Sequence, residues 1–556
     1  MADEPATAGA SSGASVEAAR GGAGFLILFA LAAVALLVPL VMVEVPPIVD
    51  YPNHLARFYL LWLGHSDPVL SRMYQPDWHV IPDLGFDLFA PWLLAVLPVD
   101  VVGRITLAVT LLLPVTGAIA YSRALFGGRS FWPLGAFLVA YNGLFLMGFE
   151  NLLLSFGTAL LSAALYVRCA RKSWLLADGV LAAGALATFL MHIVGLAFLA
   201  LLIGAHKLED VLRLWPDRRA MLRRAIVQGC GLALILAVPA WLYLSSPLAG
   251  AGGPPVWTSG SYKLQWLLGP FMNYNAALDI ATAAVLAALL AVVALTGRLR
   301  LSLPACIAFA VLAIAYPYLP NGTHGGAYLD VRIPIFLGFL AFCICTPEKL
   351  PRTVATTAMV VIALLFAVRT AVVAAVWHGH ARELADFRRT IAPISPGSAV
   401  LTVIVPGPGR DMLTWMSHPS MFAGNPSLQP TAPKSRYLGI IGMPAYLHMA
   451  ALVVIERHAF YPLIFADPNQ HPLRVAPVYE PLSDPSGVPP SLYLLGLDAI
   501  PSLTLDEFPY LADWRRRFDY VLVLNASQAG DLRGFLPDSL VPIRATPIAA
   551  LFRIRK

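Results

Sequence analysis

The sequence predicts a polytopic α-helical membrane protein with about eleven transmembrane helices and a C-terminal extracytoplasmic α/β domain. Three observations carry that reading. Of 556 residues, 58% are hydrophobic and only 13% charged, where a soluble chain carries roughly 25% charged residues. Arg20 precedes an apolar run of about twenty residues, enough to cross a bilayer. From "HGHARELADFRRTIAPISPG" onward prolines multiply and apolar runs shorten to strand length.

Residues 1–22, rich in Ala, Gly and Ser, read as a disordered cytoplasmic tail. The first span, 24–43, leads into "VEVPPIVD" rather than a small-residue cleavage site, so it is retained. Further apolar windows fall at 103–122, 131–147, 152–168, 174–190, 193–206, 225–245, 277–297, 302–319, 332–346 and 353–377. The basic residues sort between the intervening loops. One set holds Arg123, Arg129, Arg168, Arg171, Lys172, Lys207, Arg213, the Arg218–Arg224 cluster, Arg298, Arg300, Lys349 and Arg352. The other holds Arg57, Arg72 and Lys263, with Arg104 and Arg332 at its edges. This is the positive-inside pattern, so the net charge of +6 reports topology and implies no nucleic-acid partner. It places the N-terminus in the cytoplasm of a multi-pass inner-membrane protein. The long first loop, 44–102, and everything beyond 378 are then external or periplasmic.

The transmembrane domain is thus expected over 23–377 and a mixed α/β domain over 378–556. Within the latter, "AVLTVIV", "YVLVLN" and "ALFRIR" read as strands and "PAYLHMAALVVIE" as a helix. "VLTVIVPGPGRDML" lacks the spacing of a nucleotide loop. The five cysteines lie in or beside apolar segments, with no CxxC pair to suggest zinc or a disulfide framework.

Ionisable groups gather just after the first span, in "VEVPPIVDYPNHLARFYLLW". Pro52 suits a helix start and Gly64 its stop, with Leu55, Phe58, Tyr59 and Trp62 at helical spacing between them. A short amphipathic helix lying on the outer membrane surface is expected. Asp50 would precede its positive end, which favours the ionised carboxylate. Beside His54 and Arg57, that carboxylate could accept a proton or hold a hydroxyl in line. The competing reading is a helix-start carboxylate that only caps.

In its place after the first span and before an interfacial helix, Asp50 of "PPIVDYPNH" resembles the first-loop acid of the GT-C glycosyltransferase superfamily. That superfamily includes protein O-mannosyltransferases, aminoarabinose transferases of lipid A and oligosaccharyltransferase catalytic subunits. The long first loop, short-looped spans and outer mixed domain fit the same plan. The chain has neither an Asp-Glu pair there nor a WWDYG-like signature, which disfavours protein N-glycosylation. The resemblance implies an inverting membrane glycosyltransferase that takes a sugar from a polyprenyl-phosphate donor. Its acceptor would be a glycan, lipid or protein on the outer face of the cytoplasmic membrane.

Under that resemblance Asp50 orients or deprotonates the acceptor and Glu150 of "LMGFENLLLSF" assists it. A charge wedged between two spans needs a polar cavity or partner; the competing reading is a carboxylate at headgroup depth. The departing phosphate calls for positive charge. Arg332 of "GGAYLDVRIPIF" suits bidentate phosphate contact, although Asp330 could simply pair with it. Arg369 lies inside the last span, where a cation is functional by default unless it snorkels. His192 of "FLMHIVG" and Lys263 of "SGSYKLQW" complete the substrate-binding candidates with His54 and Arg57. The sequence does not decide the cofactor: Asp50 and Glu150 could share Mg2+ or Mn2+, and members of the family differ in this. The rival function is a non-catalytic lipid-linked glycan transporter or envelope assembly protein. Transporters show paired broken helices with midplane charges, whereas here the ionisable groups crowd onto one face.

Overall fold

The computed structural model describes residues 8–64, 66–127, 130–250, 252–295, 298–323, 326–405, 447–485, 487–497, 499–526 and 536–556. A helical segment stands at each of the eleven apolar windows. In chain order the helices are α1 (Ala8–Leu37), α2 (Tyr51–Leu63), α3 (Ala90–Leu93), α4 (Val99–Phe126), α5 (Gly143–Met147), α6 (Glu150–Ala170) and α7 (Trp174–Met191). They continue as α8 (Ile193–Leu212), α9 (Arg218–Leu244), α10 (Gly260–Trp266), α11 (Ala276–Leu295), α12 (Leu303–Ala315), α13 (Arg332–Ile344) and α14 (Arg352–Ile391). Among the described residues, α1, α4, α6, α7, α9, α11 and α14 are each long and apolar enough to cross a bilayer. Shorter apolar helices cover Trp132–Met147, Leu303–Tyr318 and Arg332–Ile344. The chain is a polytopic helical membrane protein with a C-terminal mixed β-sheet.

The centre of the bundle is the α4–α6 contact. Gly157 faces α4 so closely that a Cβ there would stand 2.6 Å from the Leu113 carbonyl carbon. Gly117 meets Gly157 O in the same way, at 2.8 Å. Small residues let two membrane helices approach backbone to backbone, and this contact fixes the level at which α6 begins, with Glu150.

Residues 74–76 form β1, which pairs antiparallel with β5 (Leu473–Val475). A small antiparallel pair, β2 (Leu299–Leu301) and β3 (Cys345–Pro347), closes the other end of α12 and α13. The C-terminal sheet has the order β4-β6-β8-β7. Here β4 (Val400–Ile404) runs parallel to β6 (Tyr520–Leu524), while β8 (Ala549–Ile554) is antiparallel to β6 and to β7 (Leu540–Ala545). The three expected strands are β4, β6 and β8. The edge strand β7 carries Pro542 at a bulge and a mostly exposed face, which hid it from an alternation test. Of the expected C-terminal helix, Leu452–Arg457 is helical and residues 444–446 lie outside the described residues. So do the glycines after β4.

The last expected span lies within α14, a helix of 40 residues that reaches Ile391, roughly 60 Å at 1.5 Å per residue. It runs unbroken into the C-terminal region. One expectation is corrected: α2 does not lie on the membrane surface. Tyr51 to Phe58 are all buried, and Asn53 Nδ2 donates to Leu463 O at 3.2 Å. Its amphipathic face is covered on one side by the bundle and on the other by the C-terminal region.

Candidate active site

The segment after the first span is held against α5, with Val49 N–H donating to Leu146 O and Asp50 N–H to Met147 O. Asp50 occupies the N-cap of α2, yet its side chain makes no capping bond. The carboxylate is therefore free for another task. Its side chain is 17% exposed, and Oδ1 lies 3.5 Å from His448 Nε2, contributed from almost four hundred residues away. Burial pushes the Asp50 carboxyl up to about 8 and the His448 imidazole down to about 3. The sequence reading weighed only the helix end, which favours the charged form. Enclosure under the C-terminal region outweighs it.

Gly148 backs onto Asp50. Its φ is +97°, and a Cβ there would stand 2.8 Å from Asp50 Cβ and 2.9 Å from Asp50 N. Gly148→Ala is expected to displace Asp50 and lower turnover while leaving the spans intact, a result that activity assay beside circular dichroism would check.

A chain of hydrogen bonds secures this turn from below. Arg57 Nε donates to Asp87 Oδ1 at 2.8 Å and Arg57 Nη2 to His54 Nδ1 at 3.1 Å. A guanidinium cannot accept, so His54 Nδ1 is bare and its proton sits on Nε2, which donates to Gly148 O at 3.0 Å. Burial and the Arg57 charge both press His54 well below the usual histidine range. His54 and Arg57, expected to bind substrate, are both buried, and their hydrogen bonds link Asp87 to the Gly148 carbonyl behind Asp50. Asp87→Ala would strand Arg57 as a lone buried cation, at about 3–5 kcal/mol. The expected result is a depressed melting temperature in detergent, largely recovered in Arg57→Met/Asp87→Leu without recovery of activity.

Glu150 opens α6, and neither of its carboxylate oxygens has a hydrogen-bond partner. The neighbouring Thr106 hydroxyl donates to Gly103 O at 2.9 Å instead. Asn151 bolts the first loop to the same turn, accepting from Phe86 N–H and donating to Asp83 O, each at 3.0 Å. A side chain at Gly85 would collide with Asn151 Oδ1 at 1.9 Å.

Between Gly148 and Glu150, Phe149 presents its ring to Arg332, whose guanidinium carbon lies 5.6 Å from the ring centroid. Arg332 Nε donates to Tyr328 O at 3.1 Å and Nη2 to Ala327 O at 2.9 Å. Tyr328 adopts a φ of 59°, a strained conformation for a tyrosine, and thereby turns its carbonyl onto Arg332. No carboxylate of the described residues lies within ion-pair distance of Arg332. Its third contact is His192 Nε2, 3.1 Å from Nη1. His192 Nδ1 accepts the Val194 N–H at 3.0 Å where it caps α8, which places the ring proton on Nε2. Two donors thus face one another with no acceptor between them.

The other expected cations are neutralised. Lys263 pairs with Asp330 at 3.3 Å and donates to the carbonyls of Tyr316 and Leu319. Asp330, expected beside Arg332, also accepts from Asn321 and Thr258. Arg369 pairs with Asp279 at 2.9 Å and donates to Phe271 O. These two pairs tie loops and helices together and present no free charge. Asp50 and Glu150 find no third metal ligand, for no group of three His, Cys, Asp or Glu side chains suited to a metal exists among the described residues.

No protein-family model and no curated protein matches the chain. Two solved structures do. The chain is similar to ArnT from Cupriavidus metallidurans bound to undecaprenyl phosphate, with 14% identity and a TM-score of 0.46, over 95% of this chain and 98% of that one. It is similar to the same protein in the apo state, with 16% identity and a TM-score of 0.48, over 96% and 98%.

Sequence reading missed His448, Asp83, Asp87 and the Gly148 contact. The one signal available was adjacency: "GFEN" places Gly148, Phe149, Glu150 and Asn151 in a row, and each of the four touches or faces a different part of the site.

Proposed function

We propose that this protein is a membrane glycosyltransferase that moves a sugar from a polyprenyl-phosphate donor to a hydroxyl or amine acceptor at the outer face of the cytoplasmic membrane. The observation that carries the reading is the Gly148–Phe149–Glu150 turn. It sets the Asp50 carboxylate on one side and, on the other, the buried Arg332, which has no carboxylate of the described residues within ion-pair distance. A phosphate oxygen beside Arg332 Nη1 and His192 Nε2 would accept from both donors.

The chemistry follows from that polarity. The sugar's anomeric carbon lies between the two poles, with the phosphate toward Arg332 and the acceptor toward Asp50. Asp50 takes the acceptor's proton as the new C–O or C–N bond forms. The old C–O bond breaks and its electron pair leaves on the phosphate, held by Arg332 and His192. One displacement inverts the anomeric centre. A base with a pKa near the working pH and fixed donors on the leaving group are the two contributions such a reaction needs from a protein. Glu150 places a second carboxyl group, with no hydrogen-bond partner on either oxygen, next to the turn that carries Asp50.

The test is transfer by purified protein in nanodiscs from synthetic polyprenyl-phosphate sugars. Turnover that needs both Asp50 and Arg332 supports the reading. Absence of turnover with every donor, together with Arg332-dependent binding of polyprenyl phosphate, would replace it with a binding or transport role.

A further inference from the structure

The segment joining the site to α4 consists of residues 88–98, "LFAPWLLAVLP", whose one polar side-chain group is the Trp92 indole N–H. It is too short to span a bilayer, which needs about 20 residues. Its backbone is satisfied internally: Leu93 N–H donates to Phe89 O, Leu94 N–H to Ala90 O and Leu97 N–H to Leu93 O. One face is committed, since Ala90 and Leu94 pack with Phe58, Phe86, Val102 and Leu154. The other face carries Phe89, Trp92 and Val96 at positions i, i+3 and i+7. Trp92 is 80% exposed and Val96 78%. In water, a contiguous apolar face of this kind would be unfavourable.

We infer that this face is seated in the bilayer, at the boundary of headgroups and acyl chains on the side of the membrane where the candidate site lies. The occupant is argued from continuity. Val99 begins α4, a membrane-spanning helix, directly after the segment. The Asp100–Arg104 pair in its first turns is half-exposed, as groups at a water–lipid boundary are. Exposed aromatic side chains also ring this end of the bundle: Trp241 near the end of α9, Trp257 after it and Tyr318 after α12. Tryptophan and tyrosine collect at membrane interfaces because one part of the ring system is apolar and the other hydrogen-bonds. Trp92 belongs to that girdle. An internally bonded backbone is also what a lipid environment demands and a protein partner does not. The element that rests on the membrane is thus residues 88–98, and α2, to which the sequence pattern assigned that place, is covered by protein.

The inference stands apart from the reaction proposed above, and its test does not use activity. Full-length protein in phosphatidylethanolamine/phosphatidylglycerol vesicles would carry a nitroxide at Trp92→Cys or Val96→Cys in a background without other cysteines. Collision with oxygen is compared with collision with a water-soluble nickel chelate. Leu234→Cys, exposed on the spanning helix α9, marks the lipid value, and Arg516→Cys in the C-terminal region marks the aqueous one. Preferential oxygen access at either labelled site, approaching that of Leu234→Cys, is expected. Nickel access equal to that at Arg516→Cys would overturn the inference, and so would protection from both reagents, which would put a protein against this face. Val96→Cys keeps the test open if replacement of Trp92 disturbs folding.

Discussion

Asp50→Asn should lower kcat by about 10²–10⁴-fold, the usual contribution of a positioned general base, with little change in affinity for the lipid-linked donor. Asparagine fills the same volume against Gly148 and leaves the backbone bonds to Met147, Asn53 and His54 in place. What it removes is the capacity to take a proton. The expected profile is therefore a loss in kcat with an intact fold. Single-turnover kinetics with a radiolabelled donor, beside thermal melting, would check it. Normal turnover in a folded Asp50→Asn protein would refute the role of this carboxylate.

The same residue sets a pH dependence. Burial holds the Asp50 carboxyl up to about 8, against 3.8 for a free aspartate. Since the deprotonated form does the work, kcat/KM should climb tenfold per pH unit on the acid side and level off above about 8. Stability moves the other way. Between about 4 and 8 the folded chain keeps a proton that the unfolded chain has lost, so stability falls as pH rises through that window. Asp50→Asn abolishes this penalty and should melt higher than the wild type at pH 9, while being inactive there. Coincident loss of activity and stability in that variant would mean that the carboxylate is structural.

How much of this was legible in the sequence depends on the range of each interaction. The spans were legible because burial in lipid writes itself as composition over twenty consecutive residues. Asp50 and Glu150 were legible because each is an acid set at the very end of such a run. The cations were not sortable in this way. Arg332, Arg369 and Lys263 look alike as basic residues in or beside spans. Their difference lies in Asp279, ninety positions from Arg369, and in Asp330, which turns toward Lys263 rather than toward the arginine two residues away. His448 reaches Asp50 across 398 positions, a contact that no spacing rule can anticipate. The misplacement of α2 has the same origin. Its amphipathic pattern was read correctly, but periodicity states only that one face is covered and not whether lipid or protein covers it.

That distinction among the cations yields the second large effect. Arg332→Met keeps an unbranched apolar stem over Phe149 and removes the charge. Loss of one fixed donor from a developing anion typically costs about 10²–10³-fold in kcat, and here the donor is also the site's un-neutralised cation, so the upper part of that range is expected. The folded protein should lose less stability than Arg369→Met does, because Arg332 gives up hydrogen bonds to Tyr328 O and Ala327 O and leaves no carboxylate unpaired. Arg369→Met should behave oppositely. It leaves Asp279 as a buried carboxylate without its partner, a loss of about 3–5 kcal/mol, with activity falling only in proportion to the folded fraction. Arg332→Lys separates charge from geometry: an ammonium restores attraction but not the fork that meets phosphate with two parallel bonds, so partial rescue of donor affinity with kcat still depressed is expected. Measuring melting temperature and donor kinetics for the three variants side by side decides the matter. If Arg332→Met were the unstable one and Arg369→Met the one defective in turnover, the phosphate would have to be placed inside the bundle, beside Asp279, and the polarity assigned to the site would be wrong.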